Sequence, residues 1–381
     1  MQLRPATEVS WLPQPPRRSR RQRRLVAWLV AATVLLLLVF AGYTAWWLSA
    51  AANFRDGTLA WIEQRRAEGW HMTYGDVTRR GFPFALGVRF DDAVVAPRDH
   101  AWQWATARLR FTAPLIGSRP PRLGAGGDQT FEFNTGSAIS RWSGRAQQMS
   151  FDIQPADGWM PNGRLAIRAL SLAGDGGDTT GIGYLDFLST GDPAAAASAE
   201  VSTWAARLTA EKIQLPRALD GGCGREIDAF EVEGGLYGAL NPSPWPAALA
   251  RWRDSGGVVE IERIRLACGA LNIDGEGTLA LDGRGQPIGA MSTHIQGYDA
   301  ALDRLAAAQT IDPHIAATAK ILLRALARSN ADGAATLSAP LSLQDRALSL
   351  GPVTLLRLQP VHWLDSAVVP SNGDAPAPAG R

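Results

Sequence analysis

Residues 258–268 read VVEIERIRLAC. Val259 and Ile261 alternate with polar neighbours. So do Ile264, Leu266 and Cys268, but the phase slips by one residue at Glu262-Arg263. Alternation at period two is the pattern of a strand with one covered face and one wet face. A slip of one residue turns every later side chain to the wrong face unless the extra residue is bulged out. The stretch therefore predicts an antiparallel strand carrying a β-bulge.

The same rhythm recurs along the chain. Trp70, Met72 and Tyr74 alternate, as do Leu86, Val88 and Phe90, Leu109 and Phe111, Phe131 and Phe133, and Leu165 and Ile167. Later come Leu279 and Leu281, Met291, Thr293 and Ile295, Leu341 and Leu343, and Leu348 and Leu350. Gly, Pro, Asn or Asp separates most runs, which marks turns. Helices interrupt twice. Pro244–Ser255 has Ser243 as N-cap, Pro244 at the first position and Gly256 as stop. In Asp312–Ser329 the cap is Asp312, the stripe is Ile315, Ala319, Leu322, Leu323 and Leu326, and Asn330 ends it. A shorter helix precedes it near Asp299–Ala308. The fold class expected is mainly β with a few helices (α+β): a curved antiparallel sheet, half-barrel or sandwich-like, with helices packed on it.

Upstream of this body the composition changes. Residues 25–48, LVAWLVAATVLLLLVFAGYTAWWL, carry no charge. As a helix they span about 36 Å, enough for a bilayer core of about 30 Å. Residues 1–24 hold seven Arg and one acid; of the chain's 38 basic and 36 acidic residues, 31 and 35 remain for the rest. The Arg cluster at 17–24 abuts the apolar run, and Tyr43, Trp46 and Trp47 stand at its other end. By the positive-inside rule the N-terminus is cytoplasmic and residue 49 onward lies across the membrane. A cleaved signal peptide is the alternative, since Ser49-Ala50-Ala51-Ala52 offers small residues; the apolar run exceeds an ordinary signal core. The mildly acidic body argues against nucleic acid as a partner. Residues 51–68 read as a helix, weakened at its start by Gly57 and stopped by Gly69. The organisation expected is a basic tail (1–24), a transmembrane anchor (25–48), a helical connector (49–69), a β-rich domain (70–365) and a disordered tail (366–381). The loop-like GDGGDTTGIG at 174–183 either divides the domain in two near 174–191 or is a long turn within one sheet.

Several segments together resemble a known family. They are Gly69-Trp70, Gly81-Phe82-Pro83-Phe84, Trp252-Arg253-Asp254-Ser255-Gly256-Gly257, Gly275-Glu276-Gly277-Thr278-Leu279-Ala280-Leu281-Asp282, Gln286-Pro287-Ile288-Gly289-Ala290, Gly297-Tyr298, Pro340-Leu341-Ser342-Leu343-Gln344-Asp345 and Leu350-Gly351-Pro352. In order, from about residue 55 to 364, these resemble the proteobacterial family called domain of unknown function 2125. The resemblance implies an inner-membrane-anchored periplasmic protein and supplies no reaction and no catalytic residues. The Gly-x-Leu-x-Leu-Asp strand style is also similar to the AsmA-like envelope proteins, whose open β-grooves are linked to lipid movement.

Chemistry-bearing motifs are scarce. Asp254-Ser255-Gly256-Gly257 lacks the Gly a protease nucleophile loop needs before it, and a helix stop explains it better. The five His (71, 100, 294, 314 and 362) show no metal-ligand spacing. Asp175, Asp178 and Asp186 surround a turn, without an EF-hand pattern. No dinucleotide fingerprint or P-loop is present. No cofactor and no catalytic residue is expected. Cys223 and Cys268 both lie beyond the apolar run in Gly-flanked settings, and a disulfide between them is favoured over two free thiols. Trp102 and Trp104 share a strand face, followed by Leu109 and Phe111. They are either core or the lining for an acyl chain or other apolar ligand.

Three functions stand open. The first is a non-enzymatic envelope protein that binds lipid or another apolar ligand in a groove. The second is a tethered scaffold that docks envelope proteins. The third is a hydrolase whose site carries no motif. They differ in what a structure would hold: an open apolar groove, a closed core or a polar cleft.

Overall fold

A computed structural model describes residues 20–134, 138–154, 162–191, 202–217, 223–240, 245–329, 335–351 and 353–361. Most of the basic tail, the 366–381 tail, the Ser243-Pro244 start and Asn330 lie outside the described residues.

The chain enters as one helix, α1 (Arg20–Ala67). The expected span and connector are continuous. Gly57 sits within the helix in open space, so its propensity penalty does not break it. The stop is where Gly69 predicted it. Gly69 takes φ +98°, its N–H bonds Arg66 O, and Trp70 N–H bonds Arg65 O, a Schellman end. Among the described residues this is the one helix long and apolar enough to cross a membrane.

Among the described residues seventeen strands then form a single antiparallel sheet. They are β1 (His71–Thr73), β2 (Val77–Arg80), β3 (Ala85–Ala96), β4 (Trp102–Pro114), β5 (Arg122–Asn134), β6 (Ile139–Gln154), β7 (Asn162–Gly174), β8 (Thr179–Gly191), β9 (Trp204–Gln214), β10 (Glu226–Tyr237), β11 (Val258–Cys268), β12 (Leu271–Leu281), β13 (Pro287–Gln296), β14 (Arg328–Ser329), β15 (Ala335–Gln344), β16 (Ala347–Leu350) and β17 (Val353–Arg357). Both β1 and β2 pair with β3. From β3 to β13 each strand pairs with the next. β13 passes to β15, which also holds β14 and leads through β16 to β17. The sheet is open and curved. Pairing continues on both sides of β8, and residues 174–178 form the β7–β8 turn.

The bulge expected in β11 is present. Arg263 pairs with Glu233 and Ile261 with Gly234, leaving Glu262 without a partner. The register against β12 likewise jumps from Ile261 to Ile264. Comparable slips cross the sheet in a line. β3 turns at Asp92 (φ +50°), and the β4–β5 and β5–β6 registers shift at Thr106/Arg108 and Ala125/Gly127. The line continues through Ala169 (φ +48°) and Lys212 (φ +53°). Ile167 and Leu170, three residues apart, are both 8% exposed, so their strand changes phase between them.

The helices gather at the two lateral ends. Phe54, Leu59 and Ile62 of α1 pack on Val88, Phe90 and Leu109 of β3 and β4. At the other end α3 (Tyr298–Ala307) and α4 (Pro313–Leu326) bury Tyr298, Leu302, Ala319 and Leu323 against Ile295, Leu337 and Leu350. The fourth helix, α2 (Trp245–Asp254), ends in a second Schellman turn at Gly256 (φ +80°). Its Trp252 is buried and donates Nε1–H to Tyr237 O at 2.8 Å.

Helix α4 corrects one expectation. Asp312 does cap it, accepting from His314 N at 2.7 Å. However, the helix ends at Leu326, and its buried stripe is Ala316, Ala319 and Leu323. Ile315, Leu322 and Leu326 are exposed, as is Ile321. The helix is apolar around most of its circumference, and the side rich in alanine allows the closer approach to its neighbours.

Ala169 is solvent-facing in a left-handed conformation, which sidechain-bearing residues adopt at a cost. Ala169→Gly should match or raise the thermal midpoint of the full-length protein. Ala169→Val should destabilise it by about 1–2 kcal/mol. Leu337→Ala, at a site with no exposure, should cost about 2–5 kcal/mol.

Candidate functional site: an uncovered apolar sheet face

Antiparallel partners place their side chains on the same face. Followed across the ladder, Phe111 opposes Leu123, then Phe151, Leu165, Phe187, Leu208, Val232 and Ile264. The adjacent row runs Leu109, Ala125, Met149, Ile167, Leu185, Ala210, Phe230 and Leu266. Each strand contributes apolar groups to one continuous face. The phase slips keep it continuous, because without them the two halves of each strand would present opposite faces.

Over the middle strands this face has no second layer among the described residues. The cluster of Ala146, Ile167, Leu170 and Leu172, with Phe131, Trp142, Met149, Leu165 and Leu185 around it, draws every member from β5–β8. Side chains of one sheet face shield each other this well only where the face is concave. Leu123, Phe151, Phe187, Leu208, Phe230, Val232 and Ile264 remain partly exposed. The face is therefore a trough, walled at one lateral end by α1 and at the other by α3 and α4.

The opposite face is charged. Arg122 pairs with Asp152, Arg141 with Glu132 at 2.7 Å, Arg145 with Asp128 at 2.6 Å, and Arg164 with Asp186 at 2.7 Å. Arg207 pairs with Glu233, and Arg265 with Asp274 at 2.9 Å. The hydrogen bonds that the guanidiniums donate to these carboxylates are the main cause of the raised pKa values of all six arginines. Such wet cross-strand pairs add little stability; they keep the convex side in water and set which side is the trough.

The four residues expected as lining share one face but not one environment. Leu109 and Phe111 lie beneath α1, where the Phe111 ring stacks on Phe54 at 5.2 Å between centroids. Trp102 is at the far end of β4, edge-on to Trp70, and exposed. Trp104 stacks on Phe131 and donates Nε1–H to Gln129 Oε1 at 2.9 Å. Gln129, fully buried in the apolar face, also donates Nε2–H to Thr106 Oγ1 at 2.9 Å. Its amide is satisfied on both sides, so this polar patch anchors side chains beside the bulge.

The residues that could carry other chemistry have structural partners. Ser255 Oγ–H donates to Trp252 O at the end of α2. Asp186 faces Arg164, whereas Asp178 accepts from the amides of Thr179 and Arg217 and from Arg225, so the acidic residues do not converge. Desolvation raises the Asp178 pKa, but the two amide hydrogen bonds and the Arg225 and Arg217 charges outweigh it and hold the carboxyl below its usual value. His71 and His100, 29 positions apart in sequence, come together with ring centroids at 5.5 Å; no sequence spacing signals this. Among the described residues no three His, Cys, Asp or Glu side chains are grouped to hold a metal.

Cys223 and Cys268 form a disulfide, with Cα atoms 5.4 Å apart. It ties the segment before β10 to the end of β11, and Arg304 of α3 donates to Cys223 O at 3.2 Å. A disulfide points to an oxidising compartment.

A family model described as an uncharacterized protein conserved in bacteria (DUF2125) matches residues 47–359, and the chain belongs to that family. No curated protein and no solved structure matches it.

Two outcomes test this geometry. Removing the disulfide, which closes a 45-residue separation, by a Cys223→Ser/Cys268→Ser double substitution should lower unfolding stability by about 4 kcal/mol in a denaturant titration. The lowered Asp178 pKa means its contribution is complete above the unfolded-state value of about 3.9 and is lost only as pH falls through the lower folded value. Protection of the Arg217 amide in hydrogen exchange should therefore persist through the pH range in which an ordinary carboxylate protonates and be lost only at lower pH. Asp178→Asn should lose that protection at neutral pH.

Proposed function

We propose that this member of the family is a single-span inner-membrane protein with a periplasmic body that binds lipid or another apolar molecule and performs no catalysis. The continuous apolar trough over the middle strands carries the reading. A sheet face of this extent is normally covered by a second layer in a protein that has nothing to bind. Acyl chains supply the missing apolar contact, and the absence of hydrogen-bonding groups across most of the surface suits hydrocarbon rather than a polar ligand. The charged convex face keeps the same sheet soluble outside the bilayer. The concentration of Arg before the apolar helix, together with the disulfide, supports a cytoplasmic N-terminus and a periplasmic domain.

One observation favours a second reading, a tethered scaffold. Ile315, Ile321, Leu322 and Leu326 of α4 form an exposed apolar group outside the trough, of the kind that docks a protein partner.

Full-length protein extracted in mild detergent should carry phospholipid detectable by mass spectrometry. Phe187→Asp in the trough should remove most of it while leaving the thermal midpoint within a few degrees. An α4 variant, Leu322→Asp, should retain the lipid. Equal lipid in all three proteins would place it around the transmembrane helix and count against the trough.

A further inference from the structure

Helix α1 fixes where the bilayer ends. Counted from Leu25 at 1.5 Å per residue, a hydrocarbon core of about 30 Å is crossed near Tyr43–Thr44. That level of the helix is joined to the folded body. Phe82, in the β2–β3 loop, packs its ring against Phe40, Tyr43 and Trp47. Tyr43 O–H donates to Pro83 O, and Trp47 Nε1–H to Ala85 O at 3.0 Å. The β4–β5 loop is tied to the same place, since Leu115 N–H bonds Phe84 O at 2.9 Å.

What these two loops expose is unusual for loops in water. Phe82 is 44% exposed, Phe84 65% and Ile116 66%. Arg79, Arg80 and Arg119 flank them, exposed and without an ion pair among the described residues. Apolar tips rimmed by unpaired arginine match the surface of an anionic bilayer, with rings at the headgroup level and guanidiniums on the phosphates. The rows of the trough end at this edge, where Ala85 opposes Pro114 and Leu123 opposes Phe151.

We propose that the tips of the β2–β3 and β4–β5 loops insert into the interface of the membrane that α1 spans. The trough then opens directly onto that leaflet, and a phospholipid reaches it without crossing water. The proposal rests on α1 being a retained span. Its occupant is the lipid surface, and the exposed arginines make phosphatidylglycerol the favoured headgroup.

The test uses full-length protein in phosphatidylethanolamine/phosphatidylglycerol vesicles, with an environment-sensitive dye on one of four single substitutions: Phe84→Cys, Ile116→Cys, Gly176→Cys or Leu36→Cys. Position 176 lies in the exposed β7–β8 turn at the opposite end of the strands. Spin-labelled lipids carrying the quencher near the headgroup should remove most of the emission from positions 84 and 116. Lipids carrying it deep in the chain should quench position 36, and position 176 should respond to neither. If position 36 is quenched while 84 and 116 behave like 176, the inserted loops are overturned and the anchor stands. If position 36 is also unquenched, the anchor reading falls and the proposal falls with it. Omitting phosphatidylglycerol should reduce quenching at 84 and 116; unchanged quenching would overturn the preference for anionic lipid.

Discussion

A sheet with one apolar face must hide that face from water. In this protein the sheet does much of the hiding by bending. A flat sheet of seventeen strands would leave its apolar side chains side by side and wet. Curvature turns them toward one another, and Ile167, Leu170 and Leu172 lose nine-tenths of their exposure among neighbours from the same few strands. Bulges and left-handed residues are the local means of bending a strand. Here they fall in line across successive strands, at Asp92, near Ala107 and Gly127, and at Ala169 and Lys212. Because neighbouring strands slip together, the ladder keeps its pairing while the sheet creases. The burden falls on backbone conformation rather than on a second layer of packing.

The ends of the sheet follow a different solution. Where the sheet begins, the second half of α1 supplies Phe54, Leu59 and Ile62 as a covering layer. Where it finishes, α3 and α4 do the same with Tyr298, Leu302 and Leu323. Among the described residues the largest fully buried side chains, Leu323 and Leu337, belong to that second cap. The rigid, ordinarily packed parts therefore frame a middle whose apolar groups are only partly shielded. That division of labour is what a binding surface requires: a trough held in shape from its sides, with its own floor left accessible.

The sequence disclosed this architecture unevenly, for physical reasons. The bulge at Glu262 was legible because large aliphatic residues flank it on both sides and mark the phase. The same slip in β9 passes through WAARLTAEKIQ, where small alanines at 206 and 210 break the run of large inward residues and Lys212 takes the left-handed turn. Nothing in that composition separates the strand from a weak helix or loop. β8 was hidden in the same way by its small and polar opening residues, and Ala169 gives no glycine to announce its φ. On α4, apolar residues on more than one side made the stripe ambiguous until its neighbours chose the alanine side. The cysteine pair was legible since the chain has two thiols, both beyond the apolar run, and they leave one pairing. The trough itself was not: strand alternation reveals that a face is apolar, and only the third dimension reveals whether something covers it. Trp102 and Trp104 were singled out on that face, yet its greater part belongs to β5–β11.

The manner in which α1 joins the body bears on the oldest ambiguity in the sequence, anchor against cleaved leader. A cut after the small residues at 49–52 would spare Phe54, Leu59 and Ile62, and with them the first core cluster. It would remove Tyr43 and Trp47, leaving Pro83 O and Ala85 O without their donors and Phe82 without the rings it packs against. Trp47 is only 5% exposed and Ala51 1%, so the folded body packs closely around this part of the helix. The helix has two consecutive roles on one rigid rod. Its first half is apolar on all sides and exposed, and its second half is a lid on β3 and β4. An uninterrupted helix transmits position: in the proposed arrangement, a bilayer holding residues 25–44 would keep the loops at 81–84 and 115–121 at its surface.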